Sequence, residues 1–121
     1  MLQAGGGNAA VRRALGKLAA LVEAEAKKSM EGQKSGAFYG DHQASAPGEA
    51  PAVDTGNLKN SIVAEPVGDG TRNWMVSVGA EYAAYLELGT VDIEPRPYMR
   101  PAAEEANQQI EDVFNEEFRN L

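Results

Sequence analysis

Three prolines fall within one short stretch, at Pro95, Pro97 and Pro101, with Arg96 and Arg100 between them. Proline fixes its own φ and restricts the residue before it. Residues 95–101 are therefore predicted to form a stiff, extended connector that holds both arginines at set positions. Directly upstream, Tyr82-Ala83-Ala84-Tyr85-Leu86-Glu87-Leu88-Gly89-Thr90 places two tyrosines and an acidic residue ahead of a Gly-Thr pair. A rigid connector beside such a segment suits docking better than chemistry.

The rest of the chain must pack around this connector. Val11, Leu15, Leu18, Val22 and Ala26 recur at helical spacing, which predicts a helix over residues 8–30 capped by Asn8, with Arg12, Arg13, Lys17, Lys27 and Lys28 largely off the apolar stripe. Gly5-Gly6-Gly7 follows no strand and lacks the lysine of a phosphate-binding loop, so residues 1–7 read as a flexible end. Residues 31–56 have loop composition without periodicity, and connections this long inside a small domain are usually functional. We read them as an arm that is mobile in the free protein and ordered by a neighbour, with Phe38 and Tyr39 as anchors. The alternative is that the aromatics fold back onto the body. Asp54 and Thr55 can cap a single turn over the residues that follow.

Two strands are expected next, at residues 61–67 and 74–79, joined at Gly68-Asp69-Gly70. Trp74, Val76 and Val78 alternate with Met75 and Ser77 as in a hairpin with one buried face. Residues 80–88 read as a short helix or turn ended by Gly89. Residues 91–93 and 97–99 are candidate third and fourth strands, and a last helix is expected over 101–119, with Ala106, Ile110, Val113, Phe114, Phe118 and Leu121 on its apolar side. This order predicts an α+β fold: a small antiparallel β-sheet packed by an N-terminal and a C-terminal α-helix, as a single domain over residues 1–121.

Composition narrows the function. Of the 121 residues 43% are hydrophobic, enough for one modest core, and no apolar run reaches the length of a membrane span. The opening residues lack the basic and apolar regions of a signal peptide, so a cytoplasmic site of synthesis is the expectation. There is no cysteine, which excludes disulfides and thiolate chemistry. The net charge of −7 disfavours wrapping nucleic acid, because phosphate binding needs lysine and arginine. The charge is uneven: residues 1–30 carry five basic and two acidic side chains, and residues 101–121 carry one basic and six acidic. Opposite ends of neighbouring copies could therefore meet, or both could be solvated helix faces.

No catalytic constellation is legible. His42 sits beside Asp41, with Glu49 and Asp54 further on, in a spacing that matches no metal-ligand template. Ser61 or Ser77 could be drawn with His42, but nothing positions them, and Glu81 and Glu87 are too far apart in sequence to share one helical face. No enzyme activity, cofactor or metal is expected. The candidates are interface residues instead: Phe38, Tyr39, Tyr82, Tyr85, Glu87, Gly89, Thr90, Arg96, Tyr98 and Arg100. Tyr82 and Tyr85 fit either the core or a subunit contact, since tyrosine buries a large ring and keeps a polar tip. Arg96 and Arg100 fit either a neighbour's carboxylate or the chain's own acidic C-terminal helix.

Three segments together resemble a known family. They are Ala46-Pro47-Gly48-Glu49-Ala50-Pro51 through Asp54-Thr55-Gly56-Asn57-Leu58-Lys59-Asn60-Ser61-Ile62, then residues 82–90, then Pro95-Arg96-Pro97-Tyr98-Met99-Arg100-Pro101-Ala102. Their order and spacing are similar to the phage morphogenesis family typified by the gp-ten-like tail-completion protein of HK-ninety-seven-type long-tailed bacteriophages, over about residues 8–118. Leu88 stands where that family would carry an aromatic residue, and Asp92 where the link is often basic.

The resemblance implies a structural virion protein at the neck, made in the bacterial host cytoplasm. Such a protein would form a homo-oligomeric, sixfold ring that joins the head connector and stopper proteins to the tail tube or its terminator. Genomic DNA would pass through the lumen without sequence-specific binding, and no membrane is involved. A tail terminator capping the tube is the alternative within this class. A binding module outside the particle is the alternative from another class.

Overall fold

The computed structural model describes residues 4–32, 34–39, 42–52, 56–80, 83–91 and 94–119, and the side chains of residues 4–6, 39 and 42 are not part of that description. Helix α1 (Ala4–Met30) is followed by the short strands β1 (Phe38–Tyr39) and β2 (His42–Gln43), the single turn α2 (Asn57–Asn60), and strands β3 (Ile62–Val67) and β4 (Asn73–Val78). Helices α3 (Ala83–Leu88), α4 (Met99–Asn107) and α5 (Ile110–Phe118) complete the order. The fold is α+β, as expected, with helices flanking a two-stranded antiparallel sheet.

Helix α1 is the spine. It packs on β3 and β4, and also on α4 and α5. A helix covered on two sides needs small residues where another backbone comes close. Its most buried positions are accordingly Ala10, Ala14 and Ala26, all fully covered, while Val11, Leu15, Leu18 and Val22 are only half-buried. The helix also begins at Ala4, so Asn8 lies inside it rather than capping it. Glycine disfavours a helix without forbidding it, and extending a formed helix adds about one hydrogen bond per residue fixed.

The main core gathers at the C-terminal end of α1. There Ala26 and Met30 meet Leu58, Ile62, Ala83, Tyr98 and Ala102, with Val22, Val76 and Leu86 packed alongside. Tyr98, Met30 and Ile62 are the largest fully buried side chains, each worth about 1.5–3 kcal/mol relative to exposure.

The hairpin pairs Ile62 with Val78, Ala64 with Val76 and Pro66 with Trp74. The Gly79 amide donates to the Ser61 carbonyl at 3.1 Å, which makes the odd-numbered β3 residues the hydrogen-bonded positions of the ladder. The Ala64 amide therefore points away from β4, and Glu23 of α1 accepts it at 2.8 Å. Pro66 has no amide to offer at the next outward position. The free edge of β3 is thus closed by a helix carboxylate and a proline, a usual way to blunt an edge strand. Trp74 anchors the far end. Its indole donates to the Gly70 carbonyl at 2.9 Å, its ring lies against Gly16, and the Arg12 guanidinium sits 5.7 Å from the ring centroid.

Several expectations are corrected. The single turn is capped by Gly56, at φ 87°, without a side-chain bond, while Asp54 and Thr55 lie outside the described residues. No strand occurs at 97–99, where Tyr98 already leads into α4, and none includes Val91, which is exposed; Asp92 and Ile93 are outside the description. The expected last helix is two helices. A tighter turn, with the Gln109 amide on the Ala106 carbonyl at 3.0 Å, separates α4 from α5 and lets both remain against α1.

Candidate functional site

The connector is built around one carboxylate. Pro97 biases its neighbourhood toward extended backbone, so the first amides of α4 have no helical partner. Glu87, on the inward side of α3, supplies the acceptor. Its Oε1 takes the Tyr98 and Met99 amides at 3.0 and 2.9 Å, and its Oε2 takes the Arg100 amide at 3.2 Å. A helix cap is thereby provided from another helix. The buried Tyr98 hydroxyl donates back to the Ala83 carbonyl at 3.1 Å, and the Arg96 amide donates to the Leu86 carbonyl. Gly89 ends α3 with a left-handed φ of 76°, which frees the chain to turn toward the prolines. Thr90 lies exposed just beyond it.

The same connector holds residues 34–52. The Gly48 amide donates to the Pro95 carbonyl at 2.9 Å, and Arg96 Nε donates to the Ser45 carbonyl at 3.3 Å. Within the loop, Glu49 clasps both limbs. It accepts the Ser35 amide, the Ser35 hydroxyl and the Ala46 amide at 3.1, 2.9 and 2.7 Å. These bonds, the Ala46 amide foremost, hold its carboxyl below its ordinary value. Gly36 passes so near the opposite limb that a Cβ there would sit 2.5 Å from the Ala44 and Ser45 carbonyl oxygens. Phe38 pairs with Gln43 and Tyr39 with His42 in the two-residue strands. The segment is therefore tied to the body, with Phe38 standing out at 68% exposure.

What remains on the surface is an apolar edge. On α3, Ala83, Leu86 and Glu87 turn inward, while Ala84, Tyr85 and Leu88 turn outward. Tyr85 is 60% exposed, Leu88 75%, and Val91 fully so. Residues three apart on a helix share a face, so Tyr85 and Leu88 form one projecting ridge, with Val91 continuing beyond it.

The sequence candidates thus divide. Phe38, Tyr85 and Thr90 are exposed, Tyr98 is buried, and Glu87 is engaged within the chain. Tyr82, Asp41 and Glu81 lie outside the described residues, as do the side chains of Tyr39 and His42. Arg100 reaches Glu104 on its own helix at 3.2 Å, while Arg96 binds carbonyls rather than a carboxylate. The opposite charges of the two ends meet inside one chain. Arg13 contacts Glu117 at 2.8 Å, and Lys17 pairs with Glu117 and with Glu116. Lys17 foremost, then Arg13, holds the Glu117 carboxyl below its ordinary value. Ser61 is also occupied, donating to the Leu58 carbonyl and accepting the Ala80 amide. Two features escaped sequence reasoning: Glu49 as a clasp, and the outward turn of Leu88 and Val91, which no periodicity over six residues can reveal.

Among the described residues, no cluster of His, Asp and Glu could hold a metal, and no helix is long and apolar enough to cross a membrane. No curated protein and no solved structure matches the chain. A family model, Bacteriophage HK97-gp10, putative tail-component, matches residues 3–89, so it spans α1, the loop, the hairpin and α3 with its outward ridge. The chain belongs to this family of bacteriophage tail components.

Proposed function

We propose that the protein is a non-enzymatic ring component of the virion neck, joining the head connector and stopper proteins to the tail tube around a lumen for DNA. The observation that carries this reading is the outward ridge of Tyr85, Leu88 and Val91, on a chain whose family is one of tail components. A small domain gains nothing by holding large apolar side chains in water, and such patches mark association sites. Phe38, projecting from a loop that Glu49 and Arg96 hold in place, offers a second anchor. A sixfold closed ring would come from repeating one heterologous contact.

Leu88→Asp tests this directly. The position is exposed, so the isolated fold should melt as the wild type does. Incorporation into particles in a complementation assay should be lost, and tails should fail to join heads. Normal particles carrying the variant would refute the reading. Deleting residues 35–50 is less clean, because it also removes Glu49 and the Gly48 contact to Pro95. Imaging the purified protein with tail tubes and with heads separates the roles. Density at tube ends without affinity for heads would assign a tail terminator.

A further inference from the structure

A heterologous ring needs a second surface, different from the first, on every subunit. The hairpin carries one. Its inner face, with Ile62 and Trp74, is covered by α1, while its outer face presents Val63 at 40%, Val67 at 47% and Met75 at 51% exposure. Glu65 sits among them, directly across the ladder from Met75. Among the described residues α1 is the helix packed on the hairpin, and it covers the inner face. The β3 edge is closed by Pro66 and Glu23, so the hairpin offers a partner its face rather than strand addition along β3.

The two surfaces carry opposite charges beside exposed apolar side chains. The α3 ridge projects. Beside it stands Arg100, whose amide is held by Glu87 of α3 and whose side chain is 84% exposed. The outer hairpin face groups Val63, Val67 and Met75 around the Glu65 carboxylate, with Asn73 and Ser77 completing it. Arg100 already contacts Glu104, but an exposed pair of this kind is worth little and exchanges readily.

We propose that the occupant of the outer hairpin face is a second copy of this chain. The Tyr85–Leu88 ridge of one subunit seats on Val63, Val67 and Met75 of the next, and Arg100 meets Glu65 across the contact. This rests on the ring reading above and specifies its interface. The contact is head-to-tail, so every subunit uses both surfaces and the ring closes without leaving either exposed.

The chain has no cysteine, so engineered thiols report without background. Val63→Cys and Leu88→Cys are made singly and together in assembled particles, then oxidised. The double variant should give a ladder of covalent multimers up to the full ring. A mixture of the two single variants should give dimers only, and each single variant alone should give none. Homodimers of Leu88→Cys alone would establish a self-matching contact and overturn the proposal, as would the absence of mixed dimers in intact rings. Charge reversal is the second arm. Glu65→Arg and Arg100→Glu should each reduce ring yield at least severalfold, and the double reversal should restore it. Equal loss in the double variant would overturn the pairing. Intact rings without the cross-link refute this interface and leave the neck reading standing, whereas particles that contain no rings of the protein refute both.

Discussion

Glu87 is the residue on which the connector's geometry depends, and its replacement has a calculable cost. Its carboxylate accepts three amides at the start of α4, two of them partly buried. Losing a helix cap costs about 0.5–2 kcal/mol, and hydrogen bonds to charged groups are worth about 1.5–3 kcal/mol each when their partner is left unsatisfied. The Arg100 amide is exposed and can rehydrate, so the contributions do not simply add. We expect Glu87→Ala to lose about 2–3 kcal/mol. Glu87→Gln keeps Oε1 as an acceptor but loses the charge and the second oxygen, so about 1 kcal/mol is expected. For a chain of this size each kcal/mol moves Tm by about 4 °C, which puts the alanine variant about 8–12 °C below wild type. Urea unfolding followed by far-UV circular dichroism and by Trp74 fluorescence would measure both, with an unchanged m-value. Glu105→Ala, an exposed position on the same helix, is the control and should stay within about 0.5 kcal/mol. The reasoning fails if Glu87→Ala is as mild as this control. It also fails if the glutamine variant is as costly as alanine, since the neutral oxygen it retains would then contribute nothing to the Tyr98 and Met99 amides.

Two further outcomes follow from close contacts. A Cβ at Gly16 would already stand 3.0 Å from the Trp74 ring, so Gly16→Val should displace the indole and cost about 1–3 kcal/mol, with a red-shifted emission; unaltered emission at full stability would contradict the packing. The Glu49 carboxyl is held below its ordinary value of 4.5, so the stability it lends is present above that value and is lost as pH falls through the lower folded one. Protection of the Ser35 and Ala46 amides, taken relative to their intrinsic exchange at each pH, should fall on acidification in that window, and protection that stays flat there would exclude the clasp.

The hairpin was legible because Trp74, Val76 and Val78 alternate with polar or exposed positions and because Gly68-Asp69-Gly70 punctuates them. The extended connector was legible only over residues 95–97, where proline acts locally; Met99, Arg100 and Pro101, expected to continue it, already belong to α4. The rest depends on tertiary contact. Ala26 was on the predicted stripe, but Ala10 and Ala14, just as fully buried, were not: alanine is too weak a hydrophobe to define a stripe, so the bulkier Val11 and Leu15 drew the periodicity instead. Gln108 and Gln109 carry no helix-breaking signal, and the turn there reflects two segments following one spine. Glu87 read as an interface candidate because its partners lie eleven to thirteen residues downstream, across the proline turn. The site divided along the same line: Tyr85 remained available outside, while Tyr98 was required within.

The ion pairs also decide what can drive assembly. Arg13 and Lys17 pair with Glu116 and Glu117 of the same chain, so the basic end spends part of its charge internally while Glu105, Glu111 and Asp112 stay exposed. What remains between copies is the repulsion of subunits that each carry −7. One rim pair such as Arg100 with Glu65 can set register, but it contributes little affinity, so burial of the apolar ridge must supply the driving force. Salt then has a definite sign. Raising it from ~0.01 to ~1 M shortens the screening length from about 30 to about 3 Å, which removes the long-range repulsion and leaves the apolar contact intact. Self-association measured by sedimentation should therefore strengthen as salt rises. If it weakens instead, the contact between copies is carried by opposite charges, and the basic face of α1 meeting the acidic face of α5 across two chains becomes the better account.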